Sequence, residues 1–76
     1  MINEHDRVVL TSSVSSEGLE AGDVGAVVHI YPGGAAYEVE FVTLDGDTKA
    51  VVTLESAQIR PVTGRDMTHA REIQTV

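Results

Sequence analysis

The sequence predicts an all-β domain in which five short strands close into a small barrel. Three observations lead to this fold class. Runs of β-branched and aromatic residues alternate with turn-forming residues as far as position 62. Gly25 interrupts such a run where the first long strand of a small barrel would have to coil. The chain has 76 residues and no cysteine, so compact β closure or association with another chain must supply its stability, since disulfides cannot.

The first strand is predicted over residues 6–11, where Arg7-Val8-Val9-Leu10 is rich in β formers. It ends at a serine-rich stretch, which begins a long loop over residues 12–22. Val14 and Leu19 are expected to lie under this loop as apolar anchors. Loops of this length are more often functional, or packed by their own side chains, than idle. The loop is therefore a candidate recognition element.

The second strand is predicted over residues 23–31. Its period-two alternation assigns four side chains to the core face, namely Val24, Ala26, Val28 and Ile30. A turn follows at Pro32-Gly33-Gly34-Ala35, because proline presets its own φ and glycine accepts positive φ. The second and third strands are therefore expected to form a hairpin.

The third strand, predicted over residues 36–44, has the clearest alternation in the chain. Glu38 and Glu40 face outward, between apolar side chains that face the core, which are Tyr37, Val39 and Phe41. Asp45-Gly46 then lies between two apolar runs, which is the strongest hairpin signal that a short segment gives. The fourth strand is therefore predicted over residues 48–54.

A short 3-10 turn is predicted over residues 55–58, followed by a last short strand over residues 59–62. Pro61 confines this strand to an edge or to the end of a barrel, because proline lacks the N–H group that a sheet interior needs. The barrel is therefore assigned to residues 1–62.

Residues 63–76 are assigned to a C-terminal tail, because they contain no β-branched run and begin with a break at Gly64. Disorder is typical of termini with this composition. A short helix over residues 65–74 is the next alternative, since one of its faces would be apolar at a spacing of three, with Met67, Ala70 and Ile73. A strand docked on a neighbour is the third.

The chain is acidic, with twelve Asp and Glu against five Lys and Arg and a formal net charge of -7. Residues 1–62 carry all of this net charge. Phosphate contacts need clustered Lys and Arg, so nucleic-acid binding is disfavoured. A basic protein partner would be attracted and steered by the same field.

The first residues, MINEHDR, carry charges where a signal peptide has an apolar core, and no apolar stretch is long enough to span a bilayer. The expectation is a cytoplasmic protein with no membrane partner. The absence of cysteine agrees with a reducing compartment.

The predicted layout resembles that of SH3-like barrels, with a long first loop, a tight turn, an Asp-Gly hairpin and a one-turn helix before the last strand. The segment Ala21-Gly22-Asp23-Val24-Gly25-Ala26-Val27-Val28 is similar to the Gly-Asp-x-Gly-x-Val element of many such barrels. These include KOW modules of translation-related proteins and the barrel of the nitrile hydratase beta subunit. The element implies a fold more than a function.

A closer resemblance covers about residues 2–62. The residues that carry it are Ile2-Asn3-Glu4-His5-Asp6, Leu19-x-Ala21-Gly22-Asp23-Val24-Gly25, Tyr37-Glu38-Val39-Glu40-Phe41, Asp45-Gly46, Val52-Thr53-Leu54 and Ile59-Arg60-Pro61-Val62. In these segments the chain resembles the small bacterial proteins grouped as domain of unknown function 4926. The resemblance implies a stand-alone product of bacteria or mobile elements, of a kind often suspected to be the antitoxin or immunity half of a pair. It implies no site residues.

No catalytic or metal-binding motif stands out in the sequence. The histidines are scattered and there is no cysteine, so neither a metal nor another cofactor is expected. The glycine spacing fits neither a P-loop nor a dinucleotide fingerprint. The spacing of Glu38 and Glu40 would allow them to act as a general acid and a general base, but nothing in the sequence predicts a cleft over them. The protein is therefore expected not to be an enzyme.

Two side chains near the first turn are singled out. Tyr31, beside Pro32, is a candidate exposed hot spot. His29 is predicted on the same face as Tyr31, where it could be the half-buried partner of a carboxylate and titrate near neutral pH.

These observations lead to the hypothesis of a small acidic module that caps a basic surface of a protein partner, as an antitoxin or immunity protein does. The candidate partner-binding residues are Glu17, Glu20, Tyr31, Glu38, Glu40, Asp45 and Asp47. The alternative is an accessory or chaperone-like barrel that binds an enzyme subunit through an apolar surface. A homodimer is compatible with both, because the core of so short a chain is marginal.

Overall fold

A computed structural model describes residues 1–73 of the chain. It confirms the all-β class with five strands, which are β1 (Arg7–Leu10), β2 (Val24–Ile30), β3 (Tyr37–Val42), β4 (Thr48–Leu54) and β5 (Ile59–Pro61). Three short 3-10 turns complete the order, at Ser15–Glu17, Pro32–Gly34 and Ser56–Gln58. None of these helical turns, within the described residues, is long and apolar enough to cross a membrane.

All strands belong to one antiparallel sheet in the order β4-β3-β2-β1-β5. The sheet is open, with β4 and β5 as its edges, so the predicted closure into a barrel is not formed. β5 has three residues, and one of them is Pro61, which has no N–H to donate. This edge therefore offers few groups with which another strand could close the sheet.

The hydrophobic core lies on one side of the sheet and draws on every strand and on the long loop. Its buried members are Val8, Leu10, Leu19, Val27, Val39, Phe41, Leu54 and Ile59. The predicted inward alternation of β3 is confirmed, because Val39 and Phe41 are buried and Tyr37 packs against them.

The prediction of which face of β2 lies in the core is wrong. Gly25 and Val27 are buried, whereas Val24 and Val28 are exposed. The register shifts after Val27, so that Val28 is an extra residue and Ile30, beyond the shift, packs against the core. Because β2 is apolar on both faces, its sequence pattern carries no signal for which face is buried.

The predicted connections are confirmed. The hairpin at Asp45-Gly46 joins β3 to β4, and Gly46 has a φ of +91°. In the long loop, Leu19 is buried and Val14 packs against the core, and the two residues form an isolated antiparallel bridge. The loop is therefore a folded element anchored by its own apolar side chains.

Beyond β5 the described chain contains no helix or strand, so the helix predicted over residues 65–74 is not formed by its described part. The last position of that helix lies outside the described residues. Ion pairs tie this segment down instead, since Arg60 binds Asp66 and Arg71 binds Asp23. A helix this short is marginal alone, and the contacts with the sheet and loop decide the conformation.

Candidate functional site

The sheet exposes a broad surface on β2, β3 and β4, on the side that faces away from the core. We call this surface the outer face. Its side chains include two acids and several valines, together with Ala26, His29, Tyr31, Thr48 and Thr53. The strict alternation of β3 places Glu38 and Glu40 on it, two residues apart and therefore side by side.

The carboxylate of Glu38 is held by two hydroxyl groups from the neighbouring strand and turn. The hydroxyl of Thr53, its cross-strand partner on β4, donates to Oε1. The hydroxyl of Tyr31 donates to the same oxygen at 3.4 Å. The structure thus brings Tyr31 and Glu38 together, as two of the predicted partner-binding residues.

The carboxylate of Glu40 is fixed in a similar way. The hydroxyl of Thr48 donates to its Oε2 at 2.8 Å. Within residues 1–73, neither Glu38 nor Glu40 forms an ion pair with a Lys, Arg or His side chain. The outer face therefore presents two oriented negative charges that hydroxyl groups hold in place but do not neutralise.

Exposed valines surround these acids. Val24, Val28, Val42 and Val51 are 48%, 39%, 52% and 50% exposed. Val51 is the direct cross-strand neighbour of Glu40. An exposed apolar surface that adjoins polar and charged groups is typical of a site for another protein. The arrangement suits a partner surface that carries cations among apolar side chains.

His29 differs from its predicted environment. It is exposed rather than half-buried, and its ring lies edge-on to Tyr31 with 4.8 Å between the ring centroids. In the described part of the chain no carboxylate lies within ion-pairing distance of it. The register shift in β2 carries it onto the outer face opposite Glu38, where the aromatic contact with Tyr31 replaces the predicted carboxylate partner.

The remaining predicted residues lie elsewhere. Asp45 and Asp47 belong to the β3–β4 turn and are exposed. Glu17 and Glu20 belong to the long loop, where Glu20 Oε2 lies 3.6 Å from a guanidinium nitrogen of Arg71. The candidate acids therefore divide into the pair on the outer face, a pair on the turn and a pair on the loop.

An ionic contact between the tail and the long loop was not predicted from the sequence. The Arg71 guanidinium donates to both carboxylate oxygens of Asp23, from Nε to Oδ1 at 2.9 Å and from Nη2 to Oδ2 at 2.7 Å. This contact holds the pKa of Asp23 below its ordinary value. The two residues are 48 positions apart, so no local spacing signals the pair.

A second missed pair lies at the start of the tail. Arg60 donates to both carboxylate oxygens of Asp66, at 3.1 Å and 2.7 Å, and this contact lowers the pKa of Asp66. Among residues 1–73, no group of three or more His, Asp or Glu side chains is placed to hold a metal ion.

The comparisons with known proteins identify the family. Residues 4–61 match the model of the family described as Domain of unknown function (DUF4926). No curated protein sequence and no solved structure gives a significant match. Since the matched segment contains all five strands, the chain belongs to the DUF4926 family.

Proposed function

We propose that this protein is a small acidic binding module whose outer face caps a basic surface of a cognate protein, as an antitoxin or immunity protein does. One observation supports this most. Glu38 and Glu40 lie side by side, oriented by hydroxyl donors and without a cation of their own in residues 1–73. Lysine or arginine side chains of a partner would pair with these two carboxylates.

The proposed mechanism is occlusion rather than catalysis, in the cytoplasm. Fixed carboxylates lose little conformational freedom when they bind a guanidinium or ammonium group, so more of the interaction energy is available for affinity. The excess of acids over bases would accelerate the encounter with a basic partner and repel nucleic acid. The exposed valines would add buried apolar area around the ionic contacts.

A second function is favoured by the valines themselves. An accessory or chaperone-like protein would bind an enzyme subunit mainly through an apolar surface, and Val24, Val42 and Val51 are about half exposed. In this case the acids would lie at the periphery of the contact and would contribute little. The two functions therefore differ in how strongly binding depends on Glu38 and Glu40.

The test is capture of the partner from the native host with the full chain as bait. Three baits are compared, namely the natural sequence, Glu38→Gln/Glu40→Gln, and Asp45→Asn/Asp47→Asn as a control that loses the same two charges on the turn. Glutamine keeps an oxygen for Thr48 and Thr53, so the face retains its shape. We expect a basic protein that the natural and control baits retain and that the Glu38→Gln/Glu40→Gln bait loses.

Salt and charge reversal separate the outcomes. Retention that weakens at high salt and vanishes with Glu38→Lys/Glu40→Lys supports the electrostatic cap. Retention that neither high salt nor charge reversal changes, but that is lost with Val28→Ser/Val51→Ser, supports the accessory protein. An acidic partner would contradict the electrostatic cap. A nucleic acid bound tightly in a salt-sensitive way would contradict both functions.

A further inference from the structure

A second surface of the molecule holds the side chain of an arginine, Arg71 of the tail. A cleft of about 470 Å³ lies between the long loop, the start of β2 and the end of β3, and residues 69–73 of the tail line its remaining side. Its apolar walls are Leu19, Val24, Phe41, Val42 and Leu44. We call this the arginine cleft, because Arg71 lies in it.

The cleft holds Arg71 through three acceptors. Besides the two carboxylate oxygens of Asp23, the carbonyl oxygen of Gly18 accepts from Nη2 at 3.1 Å. The contact is largely shielded from solvent, since the side chains of Arg71 and Asp23 are 25% and 18% exposed. A planar guanidinium suits this bidentate geometry, whereas an ammonium group does not.

Hydrogen bonds within the long loop also hold Asp23 in place. Asp23 Oδ2 accepts from the backbone N–H of Glu20 at 2.8 Å, and the backbone N–H of Asp23 donates to the Glu20 carbonyl at 3.0 Å. The intervening Gly22 has a φ of +96°, and its N–H donates to the carbonyl of Leu10 in β1 at 2.9 Å. Asp23 therefore lies on a hydrogen-bonded turn that is fastened to the sheet.

Residues 69–73 fill the cleft incompletely. Leu44 is fully exposed and Val24 and Val42 are about half exposed, although residues 69–73 lie beside them. The family match covers the cleft but not the tail. It contains every acceptor and apolar wall of the cleft and ends at residue 61, before Arg71. The acceptors and apolar walls of the arginine cleft thus belong to the segment that matches the family, whereas Arg71 lies outside it.

We propose that the arginine cleft is a docking site for an arginine-bearing segment of a protein partner, and that the tail occupies it in cis as a stand-in. The partner's guanidinium would bind Asp23 and the Gly18 carbonyl. An apolar residue two positions later, in the place of Ile73, would meet the apolar walls. The cleft shares Val24 and Val42 with the outer face. Its arginine acceptors are Asp23 and the Gly18 carbonyl, so the inference stands whether or not Glu38 and Glu40 bind a partner.

The probe is a fluorescein-labelled peptide with the sequence of residues 66–73, titrated by fluorescence anisotropy with full-length chains. Three chains are compared, namely the natural sequence, Arg71→Ala, and Arg71→Ala/Asp23→Asn, each checked for folding by circular dichroism. If Arg71→Ala fails to fold, Arg71→Gln, which keeps most of the side-chain stem, replaces it in both. A peptide with lysine in place of the arginine is the matched control.

We expect the Arg71→Ala chain to bind the peptide at least about tenfold more tightly than the natural chain, because the competing segment in cis is removed. Asp23→Asn and the lysine peptide should each abolish this gain. Equal binding by the natural and Arg71→Ala chains, or binding unaffected by Asp23→Asn, would overturn the proposal.

Sedimentation identifies the alternative occupant. We expect the natural chain to sediment as a monomer, with its tail bound in cis. The alternative is that the cleft receives the tail of a second copy. In that case the natural chain would form a dimer, Arg71→Ala would abolish it, and mixing the Arg71→Ala and Asp23→Asn chains would restore it. That result would overturn the assignment to a different protein.

Discussion

Gly25 of β2 lies so close to Val39 of β3 that a β-carbon at position 25 would stand 2.6 Å from the Val39 Cγ1 atom. The same β-carbon would lie 2.9 Å from the backbone carbonyl oxygen of Glu40, which cannot move without disturbing the β2–β3 ladder. The glycine in this strand therefore marks a close approach of two strands at the centre of the sheet.

The first prediction concerns this contact. Gly25→Ala should lower the free energy of unfolding by about 1–3 kcal/mol, because the added methyl group overpacks the interface between two strands. Gly64→Ala is the control, since a β-carbon there meets nothing within 4 Å, and it should change stability by less than about 0.5 kcal/mol. Urea denaturation measures both. Equal stability of the two variants would contradict the close approach.

The second prediction compares two leucines that differ only in environment. Leu54, at the end of β4, is 1% exposed, whereas Leu44, in the β3–β4 turn, is 105% exposed. Leu54→Ala should cost about 2–5 kcal/mol by leaving a cavity in the core, and Leu44→Ala should be nearly neutral. Thermal denaturation of both variants checks the assignment of the core. A Leu44→Ala variant as unstable as Leu54→Ala would show that this assignment is wrong.

The third prediction is a pH dependence that involves Asp23. Its bond to Arg71 lowers its pKa in the folded state below the ordinary value of 3.8, so the unfolded chain binds a proton more readily than the folded chain does. The stability from this pair is therefore fully present above pH 3.8 and is lost as the pH falls through the lowered folded value. Arg71→Ala should be less stable than the natural chain at neutral pH.

The measurement is the difference in free energy of unfolding between the natural chain and Arg71→Ala at several pH values. This difference should be constant near neutrality and should shrink in acid below the ordinary pKa of Asp23. Asp66, whose pKa is also lowered, titrates in both proteins and cancels in the difference. A difference that grows on acidification would contradict the assigned ion pair.

The sequence predicted the elements well because their signals are local. Asp45-Gly46 fixes the β3–β4 hairpin, and the alternation of Glu38 and Glu40 with apolar residues identifies the core face of β3. Alternation does not identify the buried face of the valine-rich β2, because both of its faces are apolar. A one-residue shift after Val27 also exchanges the inward and outward positions along the strand.

Long-range contacts could not be predicted from the sequence, for a different reason. The pairing of Arg71 with Asp23 depends on where the tail crosses the loop, and no spacing rule connects residues 48 positions apart. The predicted site was located in part, because alternation places Glu38 and Glu40 outward. The hydroxyl donors from Thr48 and Thr53 depend on the register of β4 against β3, which the sequence does not specify.

The most direct test of the central claim, that the outer face is an acidic protein-binding surface, is calorimetric titration of the captured partner against two full-length chains. At about 0.05 M salt, the account predicts that Glu38→Gln/Glu40→Gln binds at least about tenfold more weakly than the natural chain. At about 0.5 M salt, the two affinities should converge, because the ionic contribution is screened. Equal dissociation constants for the two chains at low salt would contradict the account.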